Sequence, residues 1–385
     1  MADTNFRPMP GAHLFRALHG TETIIMACNT RATIGVCEGI FRAAKECDAA
    51  VMMELAKSES DLNGGYTGLK PADYAKRTTE AAEKAGFDVW ALHADHTTVK
   101  KGTPEEIAGT KELITAQVNA GYTSFAMDAS FLFNEEGADV REELARNVEV
   151  TTDLVRHLQS KIGAFDFGLE VEVGEIGKKD EHGRVLTTPE EAVHFITELH
   201  ANDVKPHGLA IANGSAHGNA YDAGGNLVPQ LSVDIPQTIA VGKALEENGL
   251  GVSVVQHGIT GTPLEIIAEK FPRQYIIKGN VGTYWQNLMW DVFKEREQEL
   301  FNDIKNWVLE KYGSEAREKG LEGDAVFGTY SKNAYKEFFD RIYGIGEETE
   351  REIESRAYEA AKEHFRAFGA KGSAKKVREM REKGD

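Results

Sequence analysis

Three histidines and a group of carboxylates carry the chemistry legible in this sequence. His96, His217 and His257 each stand at or just beyond the end of a different short β-rich run. Three imidazoles converging on one mouth are the ligand set of a catalytic zinc site whose fourth position stays open, and Co²⁺ or Fe²⁺ are further ions that such a set accepts. Asp95 directly precedes His96 and, by the two-residue period of a strand, shares a face with His93. That places a proton donor or acceptor beside the ion, with His93 as a supporting residue rather than a ligand. Glu170 and Glu172 share a face for the same reason, and Glu172, nearer the strand end, is a candidate contact to the metal or to a reaction intermediate. The plainer role for Asp95 and the two glutamates is to orient the histidines.

Two glycine-containing stretches follow the strands that end in Asn213 and His257: NGSAHG (213–218) and HGITGTP (257–263). Their exposed backbone N–H groups suit a phosphate cradle, and Thr262-Pro263 is a helix start of the kind that adds further amides. GNVGT (279–283) closes the other side.

The elements that must position these residues alternate along the chain. Eight β-rich runs, at 23–29, 50–56, 88–95, 124–130, 167–174, 207–213, 251–257 and 274–280, are separated by polar segments of helical period. KPADYAKRTTEAAEKAG opens on Pro71 and closes at Gly86, TPEEIAGTKELITAQVNAG has Thr103 as N-cap and Gly121 as terminator, and TPEEAVHFITELHAND repeats the formula. Eight such units predict an α/β fold of the (β/α)8 TIM-barrel type, in which chemistry sits at the C-terminal strand ends. Polar residues stand at nearly all of those ends. After about residue 290 the β pattern gives way to charged helical sequence, so the expected organisation is a barrel over 1–290 and a helical extension over 291–385, packing on the barrel or on a neighbouring subunit. The residues from about Gly372 are expected to fray.

Of the 385 residues, 41% are hydrophobic and 28% charged, which excludes a disordered chain. A formal net charge of −18 argues against nucleic acid and anionic membranes as partners, so a small anionic substrate must be met by local amides, a metal or a few basic side chains. Cys28, Cys37 and Cys47 lack CxxC spacing and read as structural thiols of a reducing compartment. With no apolar run of transmembrane length and no signal-peptide pattern, the expected location is cytoplasmic.

Taken together, ALHADH, LEVEVGEIG, NGSAHG, HGITGTP and IKGNVGT resemble, in order from about residue 23 to 283, the motifs of the class II metal-dependent fructose-bisphosphate aldolases. The resemblance implies one catalytic Zn²⁺ per subunit on His96, His217 and His257, with a monovalent cation as a further cofactor. Asp95 then exchanges a proton with the C4 hydroxyl of the sugar, and the ion stabilises the enediolate left when C3–C4 breaks. Asn29, Gly218, Gly258, Thr260, Gly261, Asn280 and Thr283 fall where the family binds the dihydroxyacetone-phosphate half. The products are dihydroxyacetone phosphate and glyceraldehyde 3-phosphate, and a homodimer or homotetramer is implied.

Several positions depart from the pattern. The loop after the fifth strand reads GKKDEHG, so the base expected there falls on Asp180 or the adjacent Glu181. Gly282 replaces the usual Asp after the last strand. No late arginine matches the one that reaches the distal phosphate from a neighbouring chain, and Lys332 is the substitute. The segment 54–74, which contains GGYTGLKPAD, is similar to the tagatose-bisphosphate aldolase accessory-subunit family. Another phosphorylated ketose, tagatose 1,6-bisphosphate or a deoxy sugar phosphate, is therefore an alternative substrate, and a non-catalytic partner subunit is a second reading that the intact histidine set disfavours. A zinc hydrolase is a third, against which the phosphate cradles count.

Overall fold

In the computed structural model, residues 6–175, 179–180, 183–222 and 225–383 are described. Eight parallel strands close into a barrel: β1 (Ile25–Asn29), β2 (Val51–Ala56), β3 (Trp90–Thr98), β4 (Ser124–Asp128), β5 (Gly168–Glu172), β6 (Gly208–Ala210), β7 (Ser253–Gln256) and β8 (Ile276–Val281). Each pairs with its neighbours in sequence, and β8 pairs with β1. The strands are buried on both faces, as a parallel sheet wrapped in helices requires.

The helices begin and end where local chemistry directs. Thr103 accepts from the Glu106 amide at the start of Pro104–Asn119, and Thr188 forms a reciprocal capping box with Glu191 at the start of Pro189–Ala201. Helix Pro71–Ala85 stops at Gly86, whose φ of 66° is the left-handed conformation that glycine adopts without strain. The eight expected strands and these caps are all present.

Two regions close the barrel in ways that the composition did not signal. A first helix, Gly11–Leu18, plugs the N-terminal end, where the Met9 amide donates to Trp90 O (2.8 Å) and the Gly11 amide to Thr123 O (2.9 Å). At the other terminus, helix Thr283–Arg296 runs unbroken through residue 290, and helix Glu347–Ala367 lies on helix Val36–Cys47 of the same chain. That contact is intimate: a Cβ added at Gly39 would come within 2.4 Å of Glu354 O. The segment after Gly372, expected to fray, is instead helix Ser373–Glu382. Its Ser373 hydroxyl accepts from the Ala50 amide (2.8 Å), the Ala374 amide donates to Asp48 O (2.9 Å), and Arg378 pairs with Asp48 and Asp88. Buried Ala374 and Val377 supply the apolar contact that holds it. None of the described helices is long and apolar enough to cross a membrane.

Candidate active site

The C-terminal ends of the strands open into one cavity of about 550 Å³. Asn29, Asp95, His96, Glu172, His217, Gly218, His257, Gly258, Thr260, Asn280, Thr283 and Lys332, all singled out from sequence, line it. Gly261 does not: its carbonyl turns away to accept from the Gln230 amide (2.9 Å), so it shapes the loop instead of facing the cavity. Of the two loop carboxylates, the Asp180 side chain and all of Glu181 lie outside the described residues.

Strand alternation alone would point Asp95 and His96 to opposite faces. The pairing of β3 with β4 slips between Ala94 and Thr97, and His96 takes a φ of 40°. This bulge turns both consecutive side chains toward the cavity, at a cost of roughly 1–2 kcal/mol for a non-glycine residue in the left-handed region. The loop after β7 solves a second problem of approach. Gly258 has φ 66°, and a Cβ there would sit 2.6 Å from Ala216 O, so only glycine lets this loop pass under the one that carries His217.

The three imidazoles therefore meet. Ring centroids of His96 and His257 are 4.3 Å apart, those of His96 and His217 5.1 Å, and one nitrogen from each of the three lies within 4.8 Å of the others. His257 Nε2 bonds Glu170 Oε1 (3.0 Å), while its buried Nδ1 has no partner. His96 Nδ1 lies 2.7 Å from Glu172 Oε1, while its buried Nε2 has no hydrogen-bond partner. Each of these two rings thus has a carboxylate beside one nitrogen and no hydrogen-bond partner at the other, the arrangement of a metal-ligating histidine oriented from behind. Glu172, expected to contact the metal or an intermediate, lies against the His96 ring, and together with His96 and Asp128 it also brings an oxygen into a group that could hold an ion.

Electrostatics fit a cation at the same place. Burial and the neighbouring His96 lower the pKa of His257 and keep it neutral, the form that binds a metal. Burial in the funnel and the His96 and His257 rings lower His217 as well, although its ring is open to the mouth and solvent softens the shift. Around His96, by contrast, Glu172 and Asp95 outweigh burial and favour a positive charge on the ring. Burial and the Asp128 charge push Glu172 up to about 8. The residues present fit a divalent ion.

Below the histidines lies a group that sequence reading passed over. Lys278, inside β8 and two residues before Asn280, is fully buried in the barrel axis. Its Nζ is 2.7 Å from Glu170 Oε2, 3.1 Å from His93 Nε2, 3.2 Å from Glu54 Oε2 and 3.7 Å from Asp95 Oδ1. Burial and the Asp95 charge push Glu54 well up. Against burial, His96, Lys278 and His257 hold Asp95 below the usual carboxylate range. Of the two carboxyls, Asp95 is the one favoured as the anion and Glu54 the one shifted toward the neutral acid. Asn280 Nδ2 donates to Asp95 Oδ1 (3.0 Å) and fixes the carboxylate. The period of two from Asn280 was the signal for Lys278, since it puts a lysine on the inward face of a buried strand.

The wall beside β1 and β2 adds side chains absent from the sequence reading. Arg31 pairs with Glu59 (2.7 Å), which also accepts from the Tyr66 hydroxyl (2.6 Å) and the Ala56 amide (2.8 Å). Lys332 lies over the Tyr66 ring, 5.6 Å from its centre, in the wall of its own chain's cavity.

Residues 11–332 match the family model described as fructose-bisphosphate aldolase class-II. The chain belongs to the class II fructose-bisphosphate aldolase family. Solved structures agree on the fold of this family member. The fructose-bisphosphate aldolase of Campylobacter jejuni is 20% identical, with a TM-score of 0.62 over 95% of this chain and 97% of that one. The YdjI aldolase from Escherichia coli K12 is 18% identical, with a TM-score of 0.60 over 95% of this chain and 99% of that one. At those identities the likeness speaks for the barrel and its helices, and the family match speaks for metal-dependent aldolase chemistry.

Proposed function

We propose that the chain is a zinc-dependent aldolase that reversibly cleaves fructose 1,6-bisphosphate to dihydroxyacetone phosphate and glyceraldehyde 3-phosphate. The observation that carries the reading is the convergence of His96, His217 and His257 beside an ionised Asp95 in a cavity edged by glycine-rich loops. His96, His217 and His257 would hold the ion, with Glu172 and Glu170 orienting two of the rings. When bound, a divalent ion supplies Lewis acidity toward the ketone oxygen at C2.

The chain's own residues account for the rest. Asp95 takes the proton of the C4 hydroxyl. The C4–O bond becomes a carbonyl as C3–C4 breaks, and the electron pair of that bond moves toward C2 and its oxygen. Asn280 keeps one Asp95 oxygen occupied and leaves the other for the hydroxyl. The buried carbonyl oxygens of Asn29 and Asn280 lack partners and are acceptors for substrate hydroxyls. Gly218, Gly258, Thr260 and Thr283 form the cradle for the phosphate of the ketone half, and Lys332 meets the distal phosphate. The proton that C3 takes up is assigned to Asp180 or Glu181 in the loop after β5.

Gly282, where the family usually has Asp, favours a second assignment within the same chemistry, another phosphorylated ketose such as tagatose 1,6-bisphosphate or a deoxy sugar phosphate. A coupled assay over a panel of ketose mono- and bisphosphates decides between them. Cleavage fastest with fructose 1,6-bisphosphate supports the leading reading, and a preference of tenfold or more for another member replaces it.

A further inference from the structure

Gly282 precedes helix Thr283–Arg296 with φ −119° and ψ −73°. A side chain is tolerated at that φ, so the backbone does not call for glycine here. The space does. A Cβ at Gly282 would come within 3.2 Å of Asn29 Cβ and 3.5 Å of Arg31 Nη2, and all three residues line the cavity. The missing side chain leaves a corner walled by Arg31 Nη2 and by Cβ and Cγ of Asn29, whose Oδ1 has no partner.

Arg31 is held rigidly toward that corner. Its Nε donates to Glu59 (2.7 Å), and its Nη1 donates to Thr283 Oγ1 (3.2 Å) and Gln286 Oε1 (3.1 Å). Nη2 makes no hydrogen bond to another described residue, and the side chain is only 14% exposed. Because Thr283 Oγ1 accepts from Arg31, its own proton is free to be donated onward. A fixed charged donor and a hydroxyl donor thus converge on one spot at the start of this helix, whose Tyr284 and Trp285 amides are already taken by Thr260 Oγ1 and Gly282 O. A chain of net charge −18 has no general field to attract an anion, which gives one well-placed guanidinium more weight.

We propose that Arg31, through the corner that Gly282 leaves open, binds the phosphoryl group of the ketone half of the substrate and sets the preference for a phosphorylated over an unphosphorylated donor. The inference rests on the reading of the ligand as a phosphorylated ketose. It adds a charged side chain to a cradle otherwise made of amides and hydroxyls, and it links the Gly282 departure to a function: an acidic residue there would neutralise Arg31.

The test uses the metal-loaded full chain in its wild-type form and as Arg31→Met and Gly282→Asp. Calorimetric binding is measured with dihydroxyacetone phosphate, dihydroxyacetone and inorganic phosphate. Each substitution is expected to weaken dihydroxyacetone phosphate roughly 10- to 100-fold, the range for loss of a charge-assisted hydrogen bond, and to leave dihydroxyacetone within about twofold. Inorganic phosphate should compete with dihydroxyacetone phosphate in the wild type and lose that ability in both variants. Unchanged affinity for dihydroxyacetone phosphate in a folded Arg31→Met protein, or equal weakening of both ketones, overturns the proposal. Should Arg31→Met fail to fold, Gly282→Asp, which leaves the Glu59 pair intact, decides by the same criteria. A wild type that shows this selectivity yet cleaves no ketose phosphate would retire the proposed reaction and leave the assignment of Arg31 standing.

Discussion

Asp95 and His96 are neighbours in the chain and face the same cavity, because His96 takes φ 40° at a bulge in β3. The ligand and the proton-transfer group are thus built from one dipeptide, and changing one should leave the other in place.

Asp95→Ala is accordingly expected to keep its metal while cleavage falls roughly 10²- to 10⁴-fold, the usual contribution of a general acid or base. Metal content per chain and kcat on the same preparation check this. Near-normal turnover would remove Asp95 from the mechanism.

His217→Ala should lose the ion, because the remaining two rings leave a site short of a ligand. Glu172→Gln should keep it more weakly, by about 10- to 100-fold in affinity, since the oxygen at His96 Nδ1 is what orients the ring. Competition with a chromogenic chelator measures both. A Glu172→Gln protein that releases metal as completely as His217→Ala would make Glu172 a ligand instead.

Lys278→Met removes the one cation among the described residues in contact with Glu54, Glu170 and Asp95. A loss of about 3–5 kcal/mol in stability is expected, the cost of leaving buried carboxylates unpaired. Chemical denaturation at pH 7 gives the number. A change under 1 kcal/mol would mean that the carboxylates are neutralised by another group.

Acid should weaken the packing of the C-terminal helices. His364 sits in helix Glu347–Ala367 against Tyr284 and Trp285, and burial lowers its pKa to about 4. Its ordinary value is about 6.5, so the unfolded chain binds the proton first and stability falls as the pH drops from about 6.5 toward 4. Between pH 7 and 4.5 this one group accounts for about 2.5 kcal/mol. Urea unfolding of wild type and His364→Phe at both pH values should show that excess loss in the wild type alone. Parallel losses in the two proteins would assign the acid sensitivity elsewhere.

Much of this architecture was legible before any coordinates. The eight strands announce themselves because β-rich runs bounded by turn residues recur with helical segments between them, and Thr103, Thr188 and Gly86 mark helix ends through their own hydrogen bonds and dihedrals. The histidines and Asp95 were legible as strand-end polar residues. The bulge at His96 was not, since alternation alone would turn its ring away from Asp95, and no local pattern encodes a register slip against β4. Lys278 was hidden among apolar neighbours, and its meaning depends on Glu54, His93 and Glu170 arriving from three other strands. Arg31 became informative only when the empty space at Gly282 appeared beside it. The docking of helix Ser373–Glu382 depends on backbone groups at Asp48 and Ala50 more than 300 residues away in sequence, which composition cannot report.

The central claim is that the three histidines hold a divalent ion on which ketose cleavage depends. Metal analysis of the purified wild-type protein, followed by a fructose 1,6-bisphosphate cleavage assay before and after EDTA and again after Zn²⁺ is restored, tests it most directly. The expected result is one ion per chain, activity lost with the ion and regained with Zn²⁺. Full cleavage activity in the metal-free protein would contradict it.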